Sequence, residues 1–201
     1  SYRNVDRFVT DLAGLVTRIS EQYQRGCLIL FTSYGLLNRC HSALMNQMDW
    51  RSTPLLAQGK DGARHEILAK FKEAGNAILL GTDSFWEGVD VPGEALQLLI
   101  MTKLPFDVPS EPMIEARMES ITKSGRNPFM VHSVPEAVIR FRQGFGRLIR
   151  HEKDRGIFML LDTRAVQKAY GESFIDSLPA KPTTYYREDD LLKAVSNFWR
   201  K

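Results

Sequence analysis

The chain has 201 residues, 43% of them hydrophobic, and 27 Lys and Arg against 24 Asp and Glu give it a net charge of +3. That suits one domain, or one large lobe of something bigger, with material for a sizeable core and a basic excess that permits a nucleic-acid partner without demanding one. Cys27 and Cys40 match no zinc, iron–sulfur or disulfide spacing, no apolar run approaches the ~18 residues of a membrane span, and no signal peptide opens the chain. Reduced thiols and a cytoplasmic location follow as expectations, and the start at Ser1 suggests a piece of a longer protein.

In chain order, Val5 to Tyr23 spaces Phe8, Leu12, Leu15 and Ile19 three or four apart, which predicts an amphipathic helix broken by Gly26. Cys27 to Phe31 is a continuous apolar run, the pattern of a strand buried on both faces. Thr32 and Ser33 end it and can cap a helix from about Gly35 to Met48. Thr53 to Ala57 is a weaker strand, closed by Gln58 and Gly59. A helix from Ala63 to Glu73 stops at Gly75, and Ala77 to Leu80 is a third buried strand.

The segment from Gly81 to Gly93 reads as a loop punctuated by Gly81, Gly88 and Gly93. Leu96 to Thr102 is a fourth strand, Pro105 to Pro112 is irregular, and Met113 to Lys123 is helical. Ser124 to Ser133 reads as a polar connection. Ser133 with Glu136 has the spacing of a capping box, opening a helix that carries Val138, Phe141, Phe145 and Leu148 on one side. Continued at ~100° per residue, the same helix sets Gln143, Arg147 and Arg150 on the other. Gly156 to Leu161 is a fifth strand closing on Asp162, Thr163 and Arg164. Helices around Ala165 to Asp176 and Asp189 to Trp199 complete the chain.

Short apolar strands alternating with amphipathic helices predict an α/β fold: a mostly parallel sheet with helices on both faces. Ligands of such sheets bind beyond the C-terminal strand ends. Thr32, Ser33, Gln58, Gly59, Thr82, Lys103 and Asp162 to Arg164 should all lie there. An amide and two guanidiniums aimed at one spot suit a polyphosphate, although a dense run of arginines is equally compatible with a solvated face. Gly144 and Gly146 flank that stripe at a helix-propensity cost of roughly 1 kcal/mol each, which points to a close approach there. Thr82 could hold a phosphate and Asp90 a ribose hydroxyl, but taken alone a tight turn is the better explanation of that loop. Trp86 could stack on a base or pack in the core. The scattered histidines make a hydrolytic triad or zinc site a poor reading.

The combination is more specific than its parts. Gly81-Thr82-Asp83-Ser84-Phe85-Trp86-Glu87-Gly88-Val89-Asp90-Val91-Pro92-Gly93 resembles motif V of superfamily 2 helicases. Gln143-Gly144-Phe145-Gly146-Arg147-Leu148-Ile149-Arg150 resembles motif VI. With Lys103-Leu104-Pro105-Phe106 and Asn127-Pro128-Phe129, the chain is similar to the DinG branch of the XPD/DinG family from Leu30-Phe31-Thr32-Ser33 to Tyr170-Gly171.

The resemblance implies that residues 1–201 form the second RecA-like motor lobe of a nucleoid-associated, ATP-dependent DNA helicase that moves 5' to 3' in repair or replication. It implies that Arg150 is an arginine finger, with Arg147 and Gln143 completing a polar network near the γ-phosphate. Glu87, Gly88 and Asp90 would lie near the nucleotide. Thr32, Ser33, Gln58, Thr82 and Trp86 would line the single-stranded DNA path.

The sequence has no phosphate loop and no Asp-Glu-x-His box. ATP and Mg2+ are therefore expected to sit mainly on a first RecA-like lobe, the partner of this one, and any iron–sulfur cluster would belong there too. The fragment alone is expected to be inactive. The competing expectations are a non-catalytic nucleic-acid-binding or regulatory module that kept the fold, and a stand-alone nucleotide-binding protein.

Overall fold

The computed structural model describes residues 2–47, 50, 52–82, 85, 95–106, 112–149 and 154–200. Its elements are α1 (Tyr2–Tyr23), β1 (Cys27–Phe31), α2 (Tyr34–Met45), β2 (Leu55–Ala57), α3 (Arg64–Ala74), β3 (Ile78–Thr82), β4 (Leu98–Met101), α4 (Pro112–Lys123), α5 (Val134–Phe145), β5 (Ile157–Leu160), α6 (Arg164–Gln167), α7 (Gly171–Ile175) and α8 (Glu188–Trp199). The five strands form one sheet in the order β2-β3-β1-β4-β5, and every pairing is parallel.

Strand periodicity builds three layers. Leu28 and Leu30 of β1 point to one face, with Leu79, Leu99 and Met101, under Ile67 and Phe71 of α3, Ala137 and Phe141 of α5, and Phe174 of α7. Cys27, Ile29 and Phe31 point to the other, with Ile78, Leu80, Leu98 and Ile100, under α1, α2 and Val195 of α8. Both thiols lie in this second layer, fully buried. Desolvation pushes both up, Cys40 to about 12.

Two local features shape the ends of these elements. Thr102, just past β4, donates both its N–H and its hydroxyl to the Leu30 carbonyl, at 3.0 and 2.9 Å. Gly75 ends α3 in the left-handed region at φ 68°, which glycine adopts without the Cβ clash other residues meet.

Four local expectations are corrected. Gly81 and Thr82 belong to β3 and are not part of the loop. Ser133 has helical dihedrals and no side-chain cap bond; its hydroxyl lies 3.8 Å from Met118 Sδ. The polar connection instead contains a π-helical turn, Phe129–Ser133, leading straight into α5, so no free helix start exists there for a capping box. The helix expected from Ala165 to Asp176 is two helices, because Lys168 is extended at φ −111°, ψ 142°. Finally, α5 ends at Phe145, capped by Gly146, so the helical register does not carry through Arg147.

Candidate nucleotide and nucleic-acid edge

All five strands end on the same side of the sheet, and the polar residues expected there are there. Ser33 is the N-cap of α2: its Oγ accepts from the Leu36 N–H at 3.3 Å. Thr32 beside it is half-buried, and Ser33 and Tyr34 are exposed. At the end of β2, Gln58 turns its amide across to β3. Its Oε1 accepts from the Thr82 N–H at 2.8 Å and from the Thr82 hydroxyl at 3.0 Å. Its Nε2 donates to the Tyr34 hydroxyl at 2.6 Å.

One side chain therefore ties together the ends of β1, β2 and β3. Thr82 is 6% exposed, so Gln58 satisfies buried donors that would otherwise stand without water. The Thr82 hydroxyl, expected to face DNA, is turned inward to this amide. Lys60 and His41 lie nearby. Burial first, and the Lys60 charge next, hold the His41 imidazole below its ordinary value.

The α5 end forms a second group, toward the N-terminal ends of β4 and β5, where Leu148 packs on Gly156 just before β5. The apolar stripe is as expected: Phe141 and Leu148 are buried, with Val138 packed beside them. Past Gly146 the chain makes tight turns, with Arg147 N–H donating to Gly144 O at 3.1 Å and Leu148 N–H to Phe145 O at 2.9 Å. Gln143 is exposed in the last turn of α5, and Arg147 is half-buried. Arg147 Nε is buried with no hydrogen-bond partner among the described residues. A buried, unsatisfied guanidinium donor is costly, at roughly 1–3 kcal/mol, so this position suits an incoming acceptor. Arg150, Trp86, Glu87, Gly88 and Asp90 lie outside the described residues.

Sequence reasoning placed Asp162 and Arg164 on the edge without a role. The structure gives them one. Asp162 accepts from the Leu104 N–H at 2.9 Å and pairs with Arg164 at 2.7 Å. Arg164 also stacks over Phe106, 5.4 Å from the ring centre. Phe106 in turn packs against Phe129, Tyr170 and Phe174. This clamp joins the ends of β4 and β5.

Burial of Asp162 opposes ionisation, but the bonds from Arg164 and from the two backbone N–H groups outweigh it and hold the carboxyl below its ordinary value. The stabilisation is then fully present above the unfolded-state carboxyl range, near pH 4, and is lost as pH falls through the depressed folded value. Asp162→Asn is expected to destabilise by about 2 kcal/mol at neutral pH, a figure kept modest because Arg164 is partly solvated. Urea melts of both proteins should converge as the pH drops below about 4.

Among the described residues, no group of three or more His, Cys, Asp or Glu side chains could hold a metal ion, and no helix is long and apolar enough to cross a membrane. Both Asp162 oxygens are already engaged by Arg164 and Leu104, so this carboxylate does not fit a magnesium site.

Comparison with known proteins agrees with this geometry. DinG of Bacillus subtilis, described as a 3'-5' exonuclease, is 40% identical over 92% of this chain and 20% of its own length. YoaA of Escherichia coli, described as an ATP-dependent DNA helicase, is 41% identical over 92% of this chain and 28% of its own. DinG of Photobacterium profundum, also described as an ATP-dependent DNA helicase, is 43% identical over 87% of this chain and 25% of its own. The chain thus spans between a fifth and about a quarter of these relatives.

Among solved structures, an XPD helicase superposes with TM-score 0.64 at 18% identity, covering 88% of this chain and 32% of that one. Xpd4 of S. tokodaii superposes with TM-score 0.56 at 24% identity, covering 84% and 32%. Both support a RecA-like fold. A family model for the helicase C-terminal domain matches residues 16–181, which takes in the sheet from β1 to β5 and the polar groups described above, and the chain belongs to that family, with its DinG-type members as relatives.

Proposed function

We propose that this chain is the second motor lobe of an ATP-dependent DNA helicase, residues 1–201 forming that lobe of a longer protein. ATP, with its magnesium, sits mainly on a first RecA-like lobe, and this lobe supplies the trans-acting groups. Arg150 is the arginine finger. Arg147 and Gln143 meet the same phosphates, and Glu87, Gly88 and Asp90 lie toward the nucleotide. The observation that carries this reading is the placement of Gln143 in the last turn of α5 and of Arg147 just past it. One is exposed, and the other keeps a buried Nε without a partner among the described residues, in a sequence that has no phosphate loop of its own.

The group at the C-terminal strand ends is the nucleic-acid path. Thr32, Ser33, Gln58, Thr82 and Trp86 line it, with Gln58 and Thr82 acting as one bonded unit. Strand-end hydroxyls, amides and backbone N–H groups suit a phosphate backbone, which carries no sequence information. Closing of the two lobes on ATP and opening after hydrolysis would then ratchet single-stranded DNA in the 5' to 3' direction, in repair or replication. The protein works in the cytoplasm at the nucleoid. Any iron–sulfur cluster is held by the first lobe.

Two measurements on the full-length protein test this. Duplexes with a 5' single-stranded tail should be unwound with ATP, and duplexes with only a 3' tail should not; the reverse preference would overturn the direction. Thr82→Ala and Gln58→Ala should each weaken single-strand affinity by about fivefold to tenfold, the worth of one or two hydrogen bonds. Unchanged affinity in both would remove this unit from the path.

The second reading is a nucleic-acid-binding module that kept the fold without the motor. It draws on the B. subtilis relative, whose description is an exonuclease. It predicts DNA binding by the full-length protein with no ATP hydrolysis at all.

A further inference from the structure

The connection between β2 and α3 holds the last residue of β3 and the chain just past it, with one grip on each. Gln58, at its start, takes both donors of Thr82. Arg64, the first residue of α3, reaches the next described residue beyond. Its Nη2 donates to the Phe85 carbonyl at 3.0 Å, and its guanidinium lies 5.5 Å over the Phe85 ring. Phe85 is itself immobilised: it is 1% exposed, and a Cβ on Gly81 would come within 3.1 Å of its ring and its own Cβ.

The connection that makes these grips is braced from within. The Asp61 carboxylate accepts from the Ala57 N–H at 2.7 Å. Lys70 donates to the Asp61 carbonyl at 3.1 Å. The Glu66 carboxylate accepts from the Ala63 N–H at 2.8 Å.

Arg64 is otherwise a solvent-exposed residue. What it adds is a charge-assisted bond to a backbone carbonyl, on the chain that runs within two residues into Glu87. Gln58 faces the proposed DNA path, and Glu87 to Asp90 are the proposed nucleotide-side residues. A braced connection that grips the chain between those two sets is placed to act as a coupling element.

We propose that Arg64 is a positioning residue that couples single-strand binding to ATP hydrolysis by fixing Phe85. It touches neither DNA nor nucleotide. This rests on the helicase-lobe reading above. It predicts that Arg64→Met in the full-length protein lowers DNA-stimulated turnover by at least about fivefold, within the usual range of coupling between sites. Single-strand affinity, KM for ATP and hydrolysis without DNA should each stay within about twofold. Arg64→Lys keeps a cation near the ring but loses the planar fork, and should recover part of the stimulation.

The experiment measures ATP turnover against single-stranded oligothymidylate concentration for wild type and both variants, with thermal melts alongside. Wild-type stimulation in Arg64→Met would overturn the proposal. So would a parallel fall in DNA affinity, which would make Arg64 a DNA contact, or a fall in unstimulated turnover matching the stimulated one, which would make it structural. Should Arg64→Met not fold, Arg64→Lys decides: full stimulation with unchanged DNA affinity defeats the proposal, and reduced stimulation with unchanged affinity supports it. Absence of any DNA-stimulated hydrolysis in the wild type would instead strike the helicase-lobe reading itself.

Discussion

Replacing Arg150 with alanine in the full-length protein is expected to reduce single-strand-stimulated ATP hydrolysis by about a thousandfold or more, while single-strand affinity stays within about threefold. The size of the effect follows from where charge moves. In phosphoryl transfer, negative charge is spread over the transferring group and leaving oxygen, and a fixed guanidinium in a water-poor cleft neutralises it without reorganising. The proposed DNA contacts, at the C-terminal strand ends, are untouched by the substitution, so affinity is expected to survive. Arg150→Lys should recover little, because an ammonium cannot reproduce the bidentate fork.

The described neighbours explain how such a finger could be held. Leu148, two residues earlier, is 1% exposed and packs so closely on Gly156 that a Cβ there would lie 2.5 Å from its Cδ1. The tight turns after Phe145 hold the chain between the helix end and that buried anchor. A steady-state ATPase assay with and without oligonucleotide checks the outcome; wild-type turnover in Arg150→Ala would remove the arginine-finger role.

Replacing Gly26 with alanine is expected to cost about 3 kcal/mol of stability, the upper end for overpacking. A Cβ at Gly26 would lie 1.8 Å from the Ala95 carbonyl oxygen and 3.0 Å from its carbon. Both obstacles are backbone, so no rotamer change relieves them. The Gly26 carbonyl also accepts the N–H groups of Gln97 and Leu98, at 2.9 and 3.0 Å. These bonds open the pairing of β1 with β4 in the middle of the sheet. Moving either chain to admit the methyl would loosen both. For a chain of this length the loss corresponds to a fall in Tm of about 6–12 °C, measurable by circular dichroism on the 201-residue chain. A shift of less than 2 °C would mean that the loop before β4 yields freely.

The sheet was legible in the sequence because each central strand is a short unbroken apolar run, Cys27 to Phe31 and Ala77 to Leu80 being the clearest. Burial on both faces demands such a run, whatever the neighbours are. The candidate edge was legible for a related reason: polar residues placed directly after such runs have one end of the sheet to occupy. What failed depended on partners distant in sequence. The break between α6 and α7 arises where Gly171 sits so close to Ala165 that a Cβ would lie 2.2 Å from the carbonyl oxygen; apolar periodicity across 165–176 carries no trace of that contact. The π-helical turn at Phe129–Ser133 is a hydrogen-bond register, and a five-residue stretch cannot distinguish it from a loop by pattern.

The same limit hid the most informative contacts at the edge. Gln58 and Thr82 are 24 residues apart, and Arg64 and Phe85 are 21 apart. Strand-end position suggested a role for Gln58, but nothing local pairs it with Thr82 or Tyr34. Arg64 offered no signal beyond its place at the start of a helix, where a cation is not favoured by the helix dipole. The Asp162–Arg164 pair was visible as an edge sequence, yet the Leu104 N–H it caps could be found only from the fold.

The buried thiols give the molecule a clock. The chain contains two cysteines, one in the central strand and one on a helix covering it, both with 0% exposure. The thiolate is the reactive form, and burial keeps both groups protonated, so a thiol reagent can report only on molecules whose second core layer has parted. When re-closing is fast, the labelling rate of Cys27 relative to a free thiol measures how often β1 is uncovered. In a full-length protein carrying other cysteines, the peptide containing Cys27 can be followed separately by mass spectrometry. Labelling with and without nucleotide or oligonucleotide would then show which ligand tightens the heart of the sheet, with no probe attached at the proposed binding residues.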